Sequence, residues 1–166
     1  YKHLIPGKEY VLKGVLMDKS TGKPLVIDGE EIHAETAFTP DAPNGEVTVE
    51  FTFDSKFIKA DTDIVVFESL FKDGVELAVH ADIEDEGQTV KVKVPEIGTQ
   101  ASVDGKKEIT AKGTITVEDI VSYKNLTPGK EYTITGILMD KAAGKPFTVN
   151  GEQIRSSYTF KPETAD

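Results

Sequence analysis

The chain has 166 residues, no cysteine and a formal net charge of -10, with 29% of its residues charged. Its lysines are scattered among more numerous carboxylates, so neither nucleic acid nor an anionic membrane surface is expected as a partner, and the missing thiols exclude disulfides, thiolate metal sites and cysteine nucleophiles. No run approaches the roughly 20 apolar residues of a bilayer-spanning helix and no N-terminal export signal is visible, so any such signal is expected outside this stretch.

The chain repeats itself. Tyr1–Asn44 aligns without a gap on Tyr123–Asp166, with YKHLIPGKEYVLKGVLMDKSTGKP matching YKNLTPGKEYTITGILMDKAAGKP. Counted from Tyr1 to Tyr123 the period is 122 residues. Such self-similarity decides the domain organisation before any local reading. Residues 1–95 read as most of one repeat and residues 96–166 as the opening of the next, so the chain is expected to start and stop inside repeats.

Each copy opens on a Pro-Gly pair, Pro6-Gly7 and Pro128-Gly129, the order of a type II turn. Strands are predicted over Glu9–Asp18 and Glu131–Asp140, each ending in a Gly-Lys-Pro loop. Glu46–Asp54 alternates most cleanly, with Val47, Val49, Phe51 and Phe53 on one face and Glu46, Thr48, Glu50 and Thr52 on the other. Strands are also predicted over Asp63–Leu70, Glu76–Ala81 and Thr89–Val94, with a hairpin turn at Asp73-Gly74. No segment carries a sustained helical period. Short strands on a chain with 14 glycines and 8 prolines predict an all-β fold, an antiparallel sandwich of immunoglobulin type.

The stretch Gln88–Thr99 reads as the last strand of one domain, a proline hinge and the first strand of the next. By the period of two, Gln88 shares a face with Val90, Val92 and Val94, and Thr99 with Ile97, Ala101 and Val103. Two more polar residues fall on apolar faces: Asp119 among Ile109, Ile115, Val117 and Val121 in Glu108–Tyr123, and Glu68 beside Ile64, Val66 and Leu70. Burying an amide or hydroxyl without partners costs roughly 2–7 kcal/mol, and an unpaired carboxylate several. Four inward polar residues on four strands are therefore expected to meet, and two carboxylates beside an amide could share a proton. Taken singly, each also fits a strand-end residue hydrogen-bonded to a loop.

These residues resemble the intramolecular ester-bond domains, or VaFE repeats, of Gram-positive surface adhesins. The resemblance is carried by Ile97-Gly98-Thr99-Gln100-Ala101, by Asp119 ahead of Val121-Ser122-Tyr123-Lys124-Asn125-Leu126, by Val65-Val66-Phe67-Glu68, and by His80-Ala81-Asp82 leading to Gln88-Thr89-Val90. It implies that a threonine hydroxyl on a first strand attacks a glutamine amide on a last strand, releasing ammonia and leaving an ester. Carried over by position, Thr99 is the nucleophile, Gln88 the electrophile, and Glu68, Asp119 and His80 handle the protons. An ester clamping both ends of a domain would do what a disulfide does in a chain without cysteine.

The resemblance implies that a domain's threonine precedes its glutamine by most of the repeat, yet here Thr99 follows Gln88 by eleven residues, so the two are expected to belong to successive domains, with the partner of Gln88 upstream of Tyr1 and that of Thr99 downstream of Asp166. The resemblance implies a parallel first and last strand, and a parallel pair needs a crossover of about a dozen residues, more than Lys93–Gly98 supplies. A Thr99–Gln88 bond, if one forms, is therefore expected to join different molecules head to tail, with residues 96–122 of one chain serving as the first strand of residues 1–95 of another.

The implied function is a stalk module of a cell-wall-anchored surface adhesin, extracellular, reacting once on itself rather than turning over substrate. Neighbouring copies are its expected partners, with any host ligand held by another domain. A ligand-binding adhesin domain, a Lys-to-Asn isopeptide domain and an uncross-linked stalk domain are the alternatives. Lys91, Lys93 and Lys112 fall on polar faces, which disfavours the isopeptide. No cofactor or metal is expected: the acidic loop Asp82–Gly87 has a calcium-loop flavour, but position twelve counted from Asp82 is Lys93, where a bidentate carboxylate is needed. His3 and His33 become Asn125 and Arg155 in the second copy and are read as surface residues, and the sequon Asn125-Leu126-Thr127 carries little weight.

Overall fold

A computed structural model describes residues 1–166. Internal contacts divide it into two units, Tyr1–Val94 and Pro95–Asp166. The first holds β1 (Tyr10–Asp18), the short rungs β2 (Lys23–Pro24), β3 (Val26–Ile27) and β4 (Glu30–Glu31), then β5 (His33–Phe38), β6 (Thr62–Lys72), β7 (Val75–His80) and β8 (Thr89–Val92). The second holds β9 (Glu96–Ser102), β10 (Glu118–Lys124), β11 (Tyr132–Ile137), the rungs β12 (Met139–Asp140), β13 (Lys145–Pro146), β14 (Thr148–Val149) and β15 (Glu152–Gln153), and β16 (Arg155–Phe160). Every pairing is antiparallel, and the only helical elements are single 3₁₀ turns at Ser55–Phe57 and Glu86–Gln88. The all-β antiparallel expectation holds.

In the first unit β1 is flanked by β5 on one edge and β6 on the other. The long β6 uses its far edge twice. Its first residues, Thr62–Val65, pair with β8, and Glu68–Lys72 pair with β7. The β6–β7 turn follows from Asp73 and Gly74, which take φ of 51° and 79° as a two-residue hairpin of type I′ requires. The core face gathers Leu16, Leu25, Ile27, Ile58 and Ile64, with Phe51, Phe53, Phe57, Val66 and Val92 packed against them. Burying a side chain of this size contributes about 1.5–3 kcal/mol, so this cluster dominates the unit.

Glu46–Asp54 departs from its predicted strand. Its alternation survives, with Val47, Val49, Phe51 and Phe53 half-buried and their neighbours exposed, yet it enters no ladder. An extended segment becomes a strand only beside another strand, and this one, with the Phe51 ring over Gly14, joins no ladder; Thr48 O accepts only from the Thr36 side chain, at 3.4 Å. Glu108–Val117 also stays outside any strand; Gly113, at φ 67°, interrupts the run, and β10 begins at Glu118.

The two copies of the repeated sequence fold alike. The rings of Tyr1 and Phe38 pack tilted against each other at 5.4 Å between centroids, and so do those of Tyr123 and Phe160. The Tyr10 hydroxyl accepts from the Ile5 amide at 3.0 Å, as Tyr132 does from Thr127. Leu4 N donates to Pro43 O at 2.9 Å and Leu126 N to Ala165 O at 3.0 Å. What differs is burial. Met17 is 8% exposed and its equivalent Met139 is 55%; Leu25 and Ile27 are core residues, whereas Phe147 and Val149 are exposed.

Candidate functional site

In the first unit Glu68 on β6 stands directly opposite His80, the last residue of β7. Paired residues of an antiparallel ladder present their side chains on one face, so both project on the face that carries Leu12, Gly14 and Val66. His80 lies on the strand face opposite Leu77 and Val79, and that is the face shared with Glu68. Glu68 and His80 line an open groove of about 340 Å³ together with Tyr1, Leu12, Glu46 and Val47. Glu68 is half-buried and His80 exposed.

From His80 the chain returns to Gln88 through the acidic loop, whose carboxylates cap turns. Asp82 Oδ1 accepts from Glu84 N at 3.0 Å, and Asp85 Oδ1 accepts from Gly87 N at 2.7 Å, capping the 3₁₀ turn Glu86–Gln88. The other oxygen of Asp85, Oδ2, meets His80 Nε2 at 3.0 Å. One carboxylate thus ties the imidazole to the turn that ends on Gln88. Lys19 holds the loop from outside, with Nζ 2.8 Å from Glu86 and 3.5 Å from Glu84, and its hydrogen bond keeps the Glu86 carboxyl below its ordinary range.

Gln88 is not a strand residue, contrary to the period-two reading. It closes the 3₁₀ turn one residue before β8, and its Oε1 is buried without a hydrogen-bond partner. A buried carbonyl without a partner costs about 1–3 kcal/mol, which sets this amide apart from the other side-chain polar atoms. After β8 the strand end is anchored on Asp61, which accepts from Val94 N at 2.9 Å and from Lys93 Nζ at 2.7 Å. The Lys93 hydrogen bond is the chief cause holding the Asp61 carboxyl below its ordinary 3.8. A lowered carboxyl stabilises the fold above its unfolded pKa and loses that contribution as pH falls through the folded one. The Val94 amide resonance is therefore expected to hold from neutral pH to about 4 and to move below it, with Asp61→Asn removing the step.

In the second unit Thr99 sits on β9 opposite Val121, and Asp119 on β10 opposite Ala101. Thr99 and Asp119 are diagonal neighbours on one face of the ribbon, about 7–8 Å apart at Cα by standard ladder geometry. Both are exposed, a correction to the inward placement expected from their apolar neighbours. Ile97 and Ile120 are exposed too, and Asp119 and Val121 line an open groove with Ile134 and Tyr158, so the ribbon is not packed closely enough to bury a polar neighbour. The candidate residues thus fall into two groups: Glu68, His80 and Gln88 in the first unit, Thr99 and Asp119 in the second.

Asp85 was missed from the sequence. The acidic loop reads as a solvated turn, and the signal within it was spacing: an Asp five residues after His80 and three before Gln88 can cap the turn and reach back to the ring. His3 and His33 are exposed, as expected, with His33 Nε2 3.0 Å from Glu31. No group of three or more His, Cys, Asp or Glu side chains is disposed to hold a metal ion.

Comparison with known proteins identifies the family. Residues 1–92 and 95–166 each match the T-Q ester bond containing domain. The chain belongs to that family. No curated protein matches it. Among solved structures, a bacterial adhesin from Mobiluncus mulieris, described as containing intramolecular disulfide, isopeptide and ester bond cross-links, is similar at a TM-score of 0.43 and 14% identity, covering 98% of this chain and 83% of that one. The two T-Q ester bond matches meet at residues 93–94, between the Gln88 turn and the Thr99 strand.

Proposed function

We propose that the chain is a structural module of a bacterial surface adhesin, an immunoglobulin-like stalk repeat hardened by Thr–Gln esters between first and last strands. The observation that carries this reading is Gln88: an amide with a buried, unpartnered Oε1, at the end of a turn whose capping carboxylate also holds His80. In the reaction a threonine Oγ attacks Cδ of the glutamine, the C–O bond forms as the C–N bond breaks, and the hydroxyl proton leaves on ammonia. Thr99 and Gln88 are the reacting groups. Glu68, Asp119 and His80 move the proton, once per bond and without turnover.

Asp85 positions His80. A neutral imidazole that donates its Nε2–H to Asp85 keeps the Nδ1 lone pair as a base. Asp85→Asn retains an oxygen for Gly87 N and removes only the charge, so the turn survives. Ester formation is then expected to slow by about a hundredfold or more, the low end of general-base contributions, with its pH profile displaced; an unchanged rate and profile would leave Asp85 as a cap alone.

Within this chain the bond joins molecules head to tail. Such a bond sets residues 96–122 of one chain beside residues 1–95 of another, and the outer edge of β8, which pairs only with β6, is the edge that takes the strand. An extracellular, cell-surface setting follows from the adhesin role. Intact-mass measurement under denaturing conditions tests the reading: oligomers lighter by one ammonia per junction are expected, and a clean monomer mass would remove the covalent step.

A further inference from the structure

The turn that ends on Gln88 is held at two points. Asp85 caps it and meets His80; the second hold is Lys19, on the loop after β1. The Lys19 amide donates to Asp63 O at 2.9 Å, which fixes the residue to β6, the strand that carries Glu68 and pairs with β8. From that anchor Nζ reaches Glu86 at 2.8 Å and Glu84 at 3.5 Å. Its side chain is 17% exposed, whereas the ion-paired Lys13, Lys56, Lys91 and Lys93 are each more than half exposed. An exposed ion pair contributes little, because water screens it and both side chains must be ordered. Here the lysine stem is already packed, and one ammonium bridges two of the four carboxylates crowded into Asp82–Glu86, whose mutual repulsion favours an open loop. The Glu86 hydrogen bond also raises the pKa of the Lys19 ammonium.

We propose that Lys19 is a positioning residue for ester formation: through Glu86 it fixes the turn that presents the Gln88 amide to the attacking hydroxyl. The role rests on the Thr–Gln reaction proposed above, in which Lys19 touches no reacting atom. Glu86 and Gln88 are the two ends of one 3₁₀ turn, so releasing Glu86 frees Gln88 to move against Glu68 and His80. Misplacing a reacting group by about 1 Å can cost about a hundredfold in rate. Lys141 stands at the same place in the second copy, on a loop capped alike: Asp18 Oδ1 accepts from Ser20 N at 2.8 Å and Asp140 Oδ1 from Ala142 N at 2.9 Å. The neighbouring Ser20-Thr21 becomes Ala142-Ala143 there, but the lysine stays.

Hydrogen exchange on the full chain tests the hold without any ester. The Gln88 amide, which donates to Asp85 O at 3.2 Å, is expected to exchange at least about tenfold faster in Lys19→Met and in Glu86→Gln, while the core Leu16 amide keeps its rate. The two variants break one bond from opposite sides, and Lys19→Arg, which keeps a cation, is expected to restore protection. Unchanged exchange at Gln88 overturns the hold. The reaction is read by mixing a Thr99→Ala chain, which supplies Gln88, with a Gln88→Ala chain, which supplies Thr99, and following the cross-linked pair by mass. With Lys19→Met added to the first chain, the rate at saturating partner is expected to fall at least about tenfold with the half-saturating concentration unchanged, and Lys19→Arg to recover most of it. Equal rates overturn the positioning role. No cross-link even with Lys19 intact is a failure of the Thr–Gln reading, and exchange at Gln88 then decides the hold by itself.

Discussion

Thr99→Ala is expected to abolish every denaturant-resistant oligomer, leaving a chain of unshifted monomer mass. The threonine side chain is exposed and the β9–β10 ladder runs through backbone groups, so the fold has little to lose and the effect is close to purely chemical. An alanine methyl cannot attack, and no other hydroxyl takes its place by register: Ser122, on the neighbouring strand, faces Gly98 and donates its Oγ–H to Gly98 O at 3.2 Å. Thr99→Ser keeps the nucleophile and is expected to retain the cross-link. Gln88→Ala is expected to match Thr99→Ala, because the reaction needs both halves. Oligomers that persist in Thr99→Ala would mean that a different pair is bonded, and peptide mapping of the junction would name it.

The strands that read correctly from sequence are those with a neighbour. Tyr10–Asp18, Thr62–Lys72 and Val75–His80 fall close to their predicted bounds because alternation and turn chemistry agree, as at Asp73-Gly74. Glu46–Asp54 has the cleanest alternation in the chain and is not a strand, since alternation fixes which side chains face inward but not whether a partner edge is present. The same distinction governs the site. Thr99 and Asp119 stand on faces with apolar neighbours, as the period predicted, but a face is buried only when something packs on it. Glu68 and His80 are brought opposite each other by a register set by the two-residue turn and by the irregularity between Leu70 and Phe71, which no local pattern announces. Gln88 was legible as a polar residue out of place, and its 3₁₀ turn was not, because the cap that makes the turn is an aspartate hidden among other acids.

Leu16→Ala and Leu138→Ala are expected to differ by several-fold in cost, although both leucines sit in the same local sequence, Leu-Met-Asp-Lys. Their backbones are held alike: Leu16 N donates to Ile32 O and Leu16 O accepts from Leu25 N, while Leu138 N donates to Ile154 O and Leu138 O accepts from Phe147 N. Local sequence and these backbone bonds match, so the comparison reads the surroundings: Leu16 lies in the β1–β6 ladder, whereas Leu138 lies between β11 and β12. Leu16 is 4% exposed at the centre of the core, packed with Leu25, Ile27, Ile58 and Ile64, and truncating it there costs about 2–5 kcal/mol through lost transfer and the cavity left behind. Leu138 is only half-buried, so water already reaches part of what the truncation would uncover, and a loss of about 1 kcal/mol or less is expected. Hydrogen exchange of β1 and of β11 in urea reads the two sites separately, which matters because the two units need not unfold together.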